Sequence, residues 1–119
     1  MPWVVAAEIN RVLQPGGLTY HAAPQCFPVH EAPNDFWRFT DEALMILFGP
    51  TSGFEVLRCG MADRMRVYPE HDRPGPELQT PFAYGYATAF ILARKVAEIE
   101  SLGSPVDEIA AHSLRYPLS

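Results

Sequence analysis

"AAEINRVLQPGGLTYHAAP", residues 6–24, changes its period in the middle, and that change decides how the rest of the chain is read. Before the break, Val5, Ile9, Val12 and Leu13 follow the i, i+4, i+7, i+8 spacing of one helical stripe. Pro2 suits a first turn, so the spacing predicts a helix from the start of the chain with that stripe buried. Gln14-Pro15-Gly16-Gly17 stops it, because proline lacks a donor and glycine supplies the turn out. After the break Leu18, Tyr20 and Ala22 alternate with Thr19, His21 and Ala23, which predicts a strand ended by Pro24. Glu8 and Arg11 flank the stripe and read as a tie between the helix and the turn. His21 reads as a packed histidine with a satisfied hydrogen bond.

Downstream, Thr40 is a good N-cap, followed by Asp41 and Glu42 at the positive end of a helix dipole. Leu44, Leu47 and Phe48 form the apolar face of this short helix, which Gly49-Pro50 ends. "GFEVLRCG", 53–60, is a strand bounded by glycines. Residues 61–82 read as mostly irregular, with "RPGPELQTP" at 73–81 a loop. "YATAFILARK", 86–95, alternates like a buried strand, while Leu92, Val96 and Ile99 have helical spacing. The balance favours a strand to about Arg94 and helix afterwards. Ser104-Pro105 marks the start of a short C-terminal helical tail, 104–119. Helix, strand, helix, strand, strand and tail make an α/β pattern.

With 119 residues the chain suits one domain. Its net charge of −5 and lack of a basic stripe argue against a nucleic-acid partner. Arg64 and Arg66 lie close together, but Asp63, Glu70 and Asp72 surround them. No apolar run reaches membrane-span length and the N-terminus has no signal-peptide pattern, so a cytoplasmic location is expected. Cys26 and Cys59 lack disulfide or metal spacing and read as reduced thiols that pack. His71-Asp72 has no second ligand pair, and no serine sits in an elbow-like turn.

The opening stretch resembles the second half of class I S-adenosylmethionine-dependent methyltransferases, of the type 11-like kind. In that family a helix ending in an "RVLkPGG"-like stretch leads into the fifth strand. Glu8, Arg11, Val12, Leu13, Pro15, Gly16, Gly17 and Leu18 carry the likeness. "HEAPNDFWRFTDEALMILF", 30–48, is similar to the "H-x-x-P-x-D-[FYW]-x-R-[FY]-T-x-x-x-L" segment that follows this strand in some of these enzymes. "GFEVLRCG" resembles the sixth strand, and "TAFILARK", 88–95, the last. The resemblance implies a partial Rossmann-like methyltransferase sheet, strands 5, 7 and 6 of the family flanked by helices, over residues 1–103.

It also implies family chemistry, methyl transfer to a small-molecule acceptor, with S-adenosylmethionine as cofactor. The family holds that cofactor with its first half, through a glycine-rich turn after the first strand and an acid ending the second. The chain is expected to begin after both. Gly16-Gly17 cannot substitute, because it follows a helix and precedes a strand. The expectation is a truncated methyltransferase-like protein that does not bind the cofactor by itself and is inactive alone. The alternatives are a non-enzymatic homo-oligomeric assembly or small-molecule-binding module, and a half-enzyme completed by a partner chain. A homodimer is expected, because loss of the first half bares one edge of residues 18–23 and the stripe through Val5, Ile9 and Leu13.

By the same resemblance, residues 30–40 lie above the carboxyl end of the fifth strand, where open α/β sheets bind ligands. A functional reading makes His30, Asp35, Trp37 and Arg38 a substrate-binding set. His30 would exchange a proton, Arg38 clamp an anion and Trp37 stack on a ring. A structural reading pairs Asp35 with Arg38 to hold the loop, puts Phe36 and Phe39 in the core and leaves Trp37 as the ring that faces out.

Overall fold

Glycine turns and alternating strands arrange the chain as helix α1 (Pro2–Val12), strand β1 (Leu18–Pro24), helix α2 (Asp41–Leu47), a 3-10 turn (Pro50–Ser52), and strands β2 (Phe54–Val67) and β3 (Ala83–Lys95). The computed structural model describes residues 1–30, 32–67 and 83–99. The architecture is mixed α/β. Its three-stranded sheet has the order β1-β3-β2, and both outer strands run antiparallel to β3. β1 and β2 are therefore parallel to each other.

One sheet face carries the core. Ala89, Ile91 and Ala93 of β3 and Phe54 of β2 are buried there against Ala6 of α1 and Leu44, Leu47 and Phe48 at α2. Fully burying a side chain such as Phe54 contributes about 1.5–3 kcal/mol. The opposite face places Leu18 and Tyr20 beside Arg94 and Leu92 in register, and both Leu18 and Tyr20 are exposed. Strand alternation is thus satisfied, but the larger apolar groups of β1 lie on the open side.

Three expectations are corrected. The buried face of α1 is not the Val5–Ile9–Val12–Leu13 stripe. Ala6 and Asn10 are buried, Trp3, Ile9 and Leu13 are partly buried, and Val5 and Val12 are exposed. The helix is rotated because Asn10 is drawn inward: its Nδ2 donates to Ser52 O at 3.0 Å and Ala97 O at 2.9 Å. Next, β2 does not stop at Gly60. It pairs with β3 as far as Val67, with a register shift between Val56 and Arg58. Finally, residues 96–99 are not helical. Their backbone is held by Val96 N–H and Ala97 N–H donating to Gly53 O. Residues 68–82 and the tail at 104–119, with His71-Asp72, lie outside the described residues.

A buried polar knot joins the ends of these elements. Lys95, 1% exposed, donates through Nζ to Asn10 O at 2.5 Å and Leu13 O at 2.7 Å, and pairs with Glu98 at 2.7 Å. It therefore caps the C-terminal carbonyls of α1, which have no partners within the helix. Gly53 completes the knot at φ +78, where an added Cβ would lie 2.5 Å from Ala97 O and 2.6 Å from Asn10 Nδ2. Glu8 and Arg11, expected to tie helix to turn, pair with each other on the surface at 2.8 Å.

Candidate functional site

The connection from β1 to α2 is pinned at both ends. Gln25 N–H donates to Ala87 O at 2.8 Å, and Phe39 N–H returns to Pro24 O at 3.0 Å. Between these points Asp35 organises the loop. It accepts a two-pronged bond from Arg38 at 2.5 and 2.8 Å and a third from His30 N–H at 2.9 Å. The Arg38 guanidinium, followed by the His30 amide, holds the Asp35 carboxyl well below the usual carboxylate range. Arg38 also donates to Phe27 O and Pro28 O, both at 3.3 Å. With its fork so engaged, Arg38 serves as an internal clasp.

Loop anchoring leaves a cleft of about 480 Å³ at the carboxyl end of β1. Ala22 and Ala87 contribute to its apolar wall, and Phe27, His30, Asp63 and Thr88 supply ring and polar groups. The Phe27 and His30 rings meet edge-on, with centroids 5.4 Å apart. His30 Nδ1 lies 3.2 Å from Pro28 O and 3.3 Å from Asp35 Oδ2. Both neighbours only accept, so Nδ1 carries the proton and a neutral ring keeps its lone pair on Nε2. Across the cleft Thr88 Oγ1 donates to Asp63 Oδ2 at 2.6 Å.

A second, smaller cleft of about 190 Å³ lies between α1, the loop and α2, lined by Trp3, Trp37, Arg38, Phe39, Ile46 and Leu47. Trp37 is 48% exposed, stacked on Phe39 at 6.3 Å and edge-on to Trp3 at 5.9 Å. The four residues predicted as one set are therefore divided. His30 belongs to the larger cleft, Trp37 and Arg38 to the smaller, and Asp35 holds the loop between them. Phe36, expected in the core, is 72% exposed and is the ring that faces furthest out. Phe39 does pack against the core.

Sequence reasoning missed Phe27, Asp63 and Thr88. Asp63 escaped because residues after Gly60 read as loop. The signal available was the continued alternation of Met61 and Met65 with Arg64 and Arg66. Asp63 itself takes φ +59, a left-handed conformation that aspartate tolerates better than most side chains.

The donors of the Gly16-Gly17 turn are taken up within the chain. Gly16 N–H donates to Lys95 O and Gly17 N–H to Gln14 O, so both donors serve the chain's own backbone. Among the described residues, no group of three or more His, Cys, Asp or Glu side chains could hold a metal ion. No described helix is long and apolar enough to cross a membrane. Cys59 is half-buried and donates to Asp41 O at 3.4 Å, and burial pushes its thiol up; Cys26, expected to pack, is exposed instead. In comparisons with known proteins, no family model, curated protein or solved structure matches the chain.

Proposed function

We propose that this chain is the acceptor-binding half of a methyltransferase-like fold, taking a small organic acceptor in the cleft at the end of β1 and binding no S-adenosylmethionine by itself. The observation that carries this reading is the position of the cleft: it opens at the carboxyl end of a strand, the place where open α/β sheets receive ligands. The order β1-β3-β2, with an antiparallel strand between two parallel ones, supports the 5-7-6 arrangement that the sequence resemblance implies. His30 would accept a proton from the bound acceptor at Nε2, because Pro28 O and Asp35 Oδ2 keep the other proton on Nδ1. Two free thiols fit a reducing, cytoplasmic setting.

The second reading is assembly. β1 is an outer strand, and Val4, Val5, Val12, Leu18 and Tyr20 are exposed on it and on α1. An outer strand with exposed apolar side chains favours pairing, and a two-fold copy is the simplest closed solution. A dimer, or a partner chain supplying the cofactor half, is compatible with acceptor binding in each copy. Isothermal titration tests the first reading directly. Titrating S-adenosylmethionine into the chain should give no binding heat, and micromolar affinity would overturn this reading.

A further inference from the structure

We propose that the cleft at the end of β1 selects an acceptor that carries a cationic ammonium head, held by Asp63 and Phe27, with the methyl-accepting atom elsewhere in the molecule. This rests on the acceptor-binding reading above and adds the charge of the ligand. Among the described residues that line the cleft, Asp63 is the one carboxylate, and no arginine or lysine joins it. Asp35, in the same loop as Phe27, is already matched by Arg38. Arg64, next in sequence to Asp63, lies over the Tyr84 ring at 4.6 Å and does not line the cleft.

Asp63 is also placed with care. Thr88 Oγ1 occupies Oδ2, which fixes the carboxylate and leaves Oδ1 without a protein hydrogen bond among the described residues. Phe27 is 56% exposed and its ring lines the same cleft. An aromatic face with a carboxylate nearby is the combination that recognises ammonium groups, by attraction to the ring quadrupole and to the negative charge. The alanines leave room for a bulky head, since Ala22 and Ala87 are small where β1 and β3 neighbour the opening. An anionic acceptor would meet Asp63 with no compensating cation among the described lining residues.

The test compares isosteres of different charge on the full chain by amide-detected NMR titration: choline, neutral 3,3-dimethylbutan-1-ol and anionic 3,3-dimethylbutyrate. Choline should shift the amides of Ala22, Phe27, His30 and Thr88 and bind at least about fivefold tighter than the neutral isostere, with the anion weakest. Asp63→Asn removes the charge yet tolerates the left-handed backbone, and should abolish the preference. Phe27→Leu, at an exposed ring, should weaken choline more than the alcohol and serves if the first variant fails to fold. Equal binding of choline and alcohol at the cleft, or a preference that survives in Asp63→Asn, overturns the charge selection alone. Shifts confined to other parts of the molecule, or none with any probe, overturn both the selection and the acceptor site.

Discussion

The His21 ring stacks on Phe48 with centroids 4.2 Å apart, and its Nε2 lies 2.7 Å from Thr19 Oγ1. Burial lowers its pKa, so the neutral ring is the form that the fold accommodates. Above the unfolded value of about 6.5 both states are neutral and stability is at its full value. As pH falls below that, the unfolded chain takes up a proton that the folded chain refuses, and stability declines. The unfolding free energy should therefore drop between pH 7.5 and 5.5, with a slope below about 1.4 kcal/mol per pH unit, the ceiling for one proton. His21→Gln should flatten that limb, and an unchanged slope would remove His21 as its source. Asp35 acts in the adjoining window. Its lowered pKa contributes stability above the ordinary carboxylate value, and that contribution is lost as pH falls through and below it.

At the scale of elements, α1 depends on a residue 82 positions away for its C-terminal cap. Lys95 donates to Asn10 O and Leu13 O from a side chain that is almost wholly buried, while its ion-pair partner Glu98 is 67% exposed. The hydrogen bonds to α1 should therefore outweigh the ion pair. Lys95→Met leaves two carbonyls without a donor and should cost about 1–3 kcal/mol. Glu98→Gln, which removes only the charge at the exposed end of the pair, should cost less than about 1 kcal/mol. Urea unfolding of the two variants decides the matter, and equal losses would assign the stabilisation to the ion pair instead. The β1–α2 loop shows the same economy, because one Asp35–Arg38 clasp sets both clefts by fixing where Phe27, His30 and Trp37 emerge.

At the scale of the whole molecule, the described helices cover one face of the sheet. Helices α1 and α2 pack on the inner face, while Leu18, Tyr20 and the valines of α1 remain in solvent. Under the proposed assembly, sedimentation equilibrium at micromolar concentration should give a dimer, and a monomer would overturn it. Val5→Asp with Val12→Asp separates the two geometries. A dimer that dissociates in this variant uses the helix, whereas one that persists uses the edge of β1 across residues 18–23.

Local physics determined much of this chain from its sequence. Pro2, Gly17, whose N–H returns to Gln14 O, the alternation of residues 18–23, and the Thr40 cap, whose Oγ1 accepts from Ala43 N–H at 3.1 Å, each act through neighbours in the chain. The elements they specify are α1, β1 and α2. The alternation of residues 86–95 likewise outweighed the helical spacing of Leu92, Val96 and Ile99, because pairing on both sides of β3 satisfies its backbone. What only the tertiary structure decided depends on residues far apart. The inward face of α1 is set by Asn10 reaching Ser52 and Ala97, not by the valines that its periodicity favours. The length of β2 is set by its pairing with β3 beyond Gly60. The larger cleft brings Phe27 and His30 from one loop together with Asp63 and Thr88 from two strands, an encounter that no spacing along the chain encodes. Hydrophobic period fixes an element's type, but the facing partner fixes its rotation, its end and the side chains it shares with others.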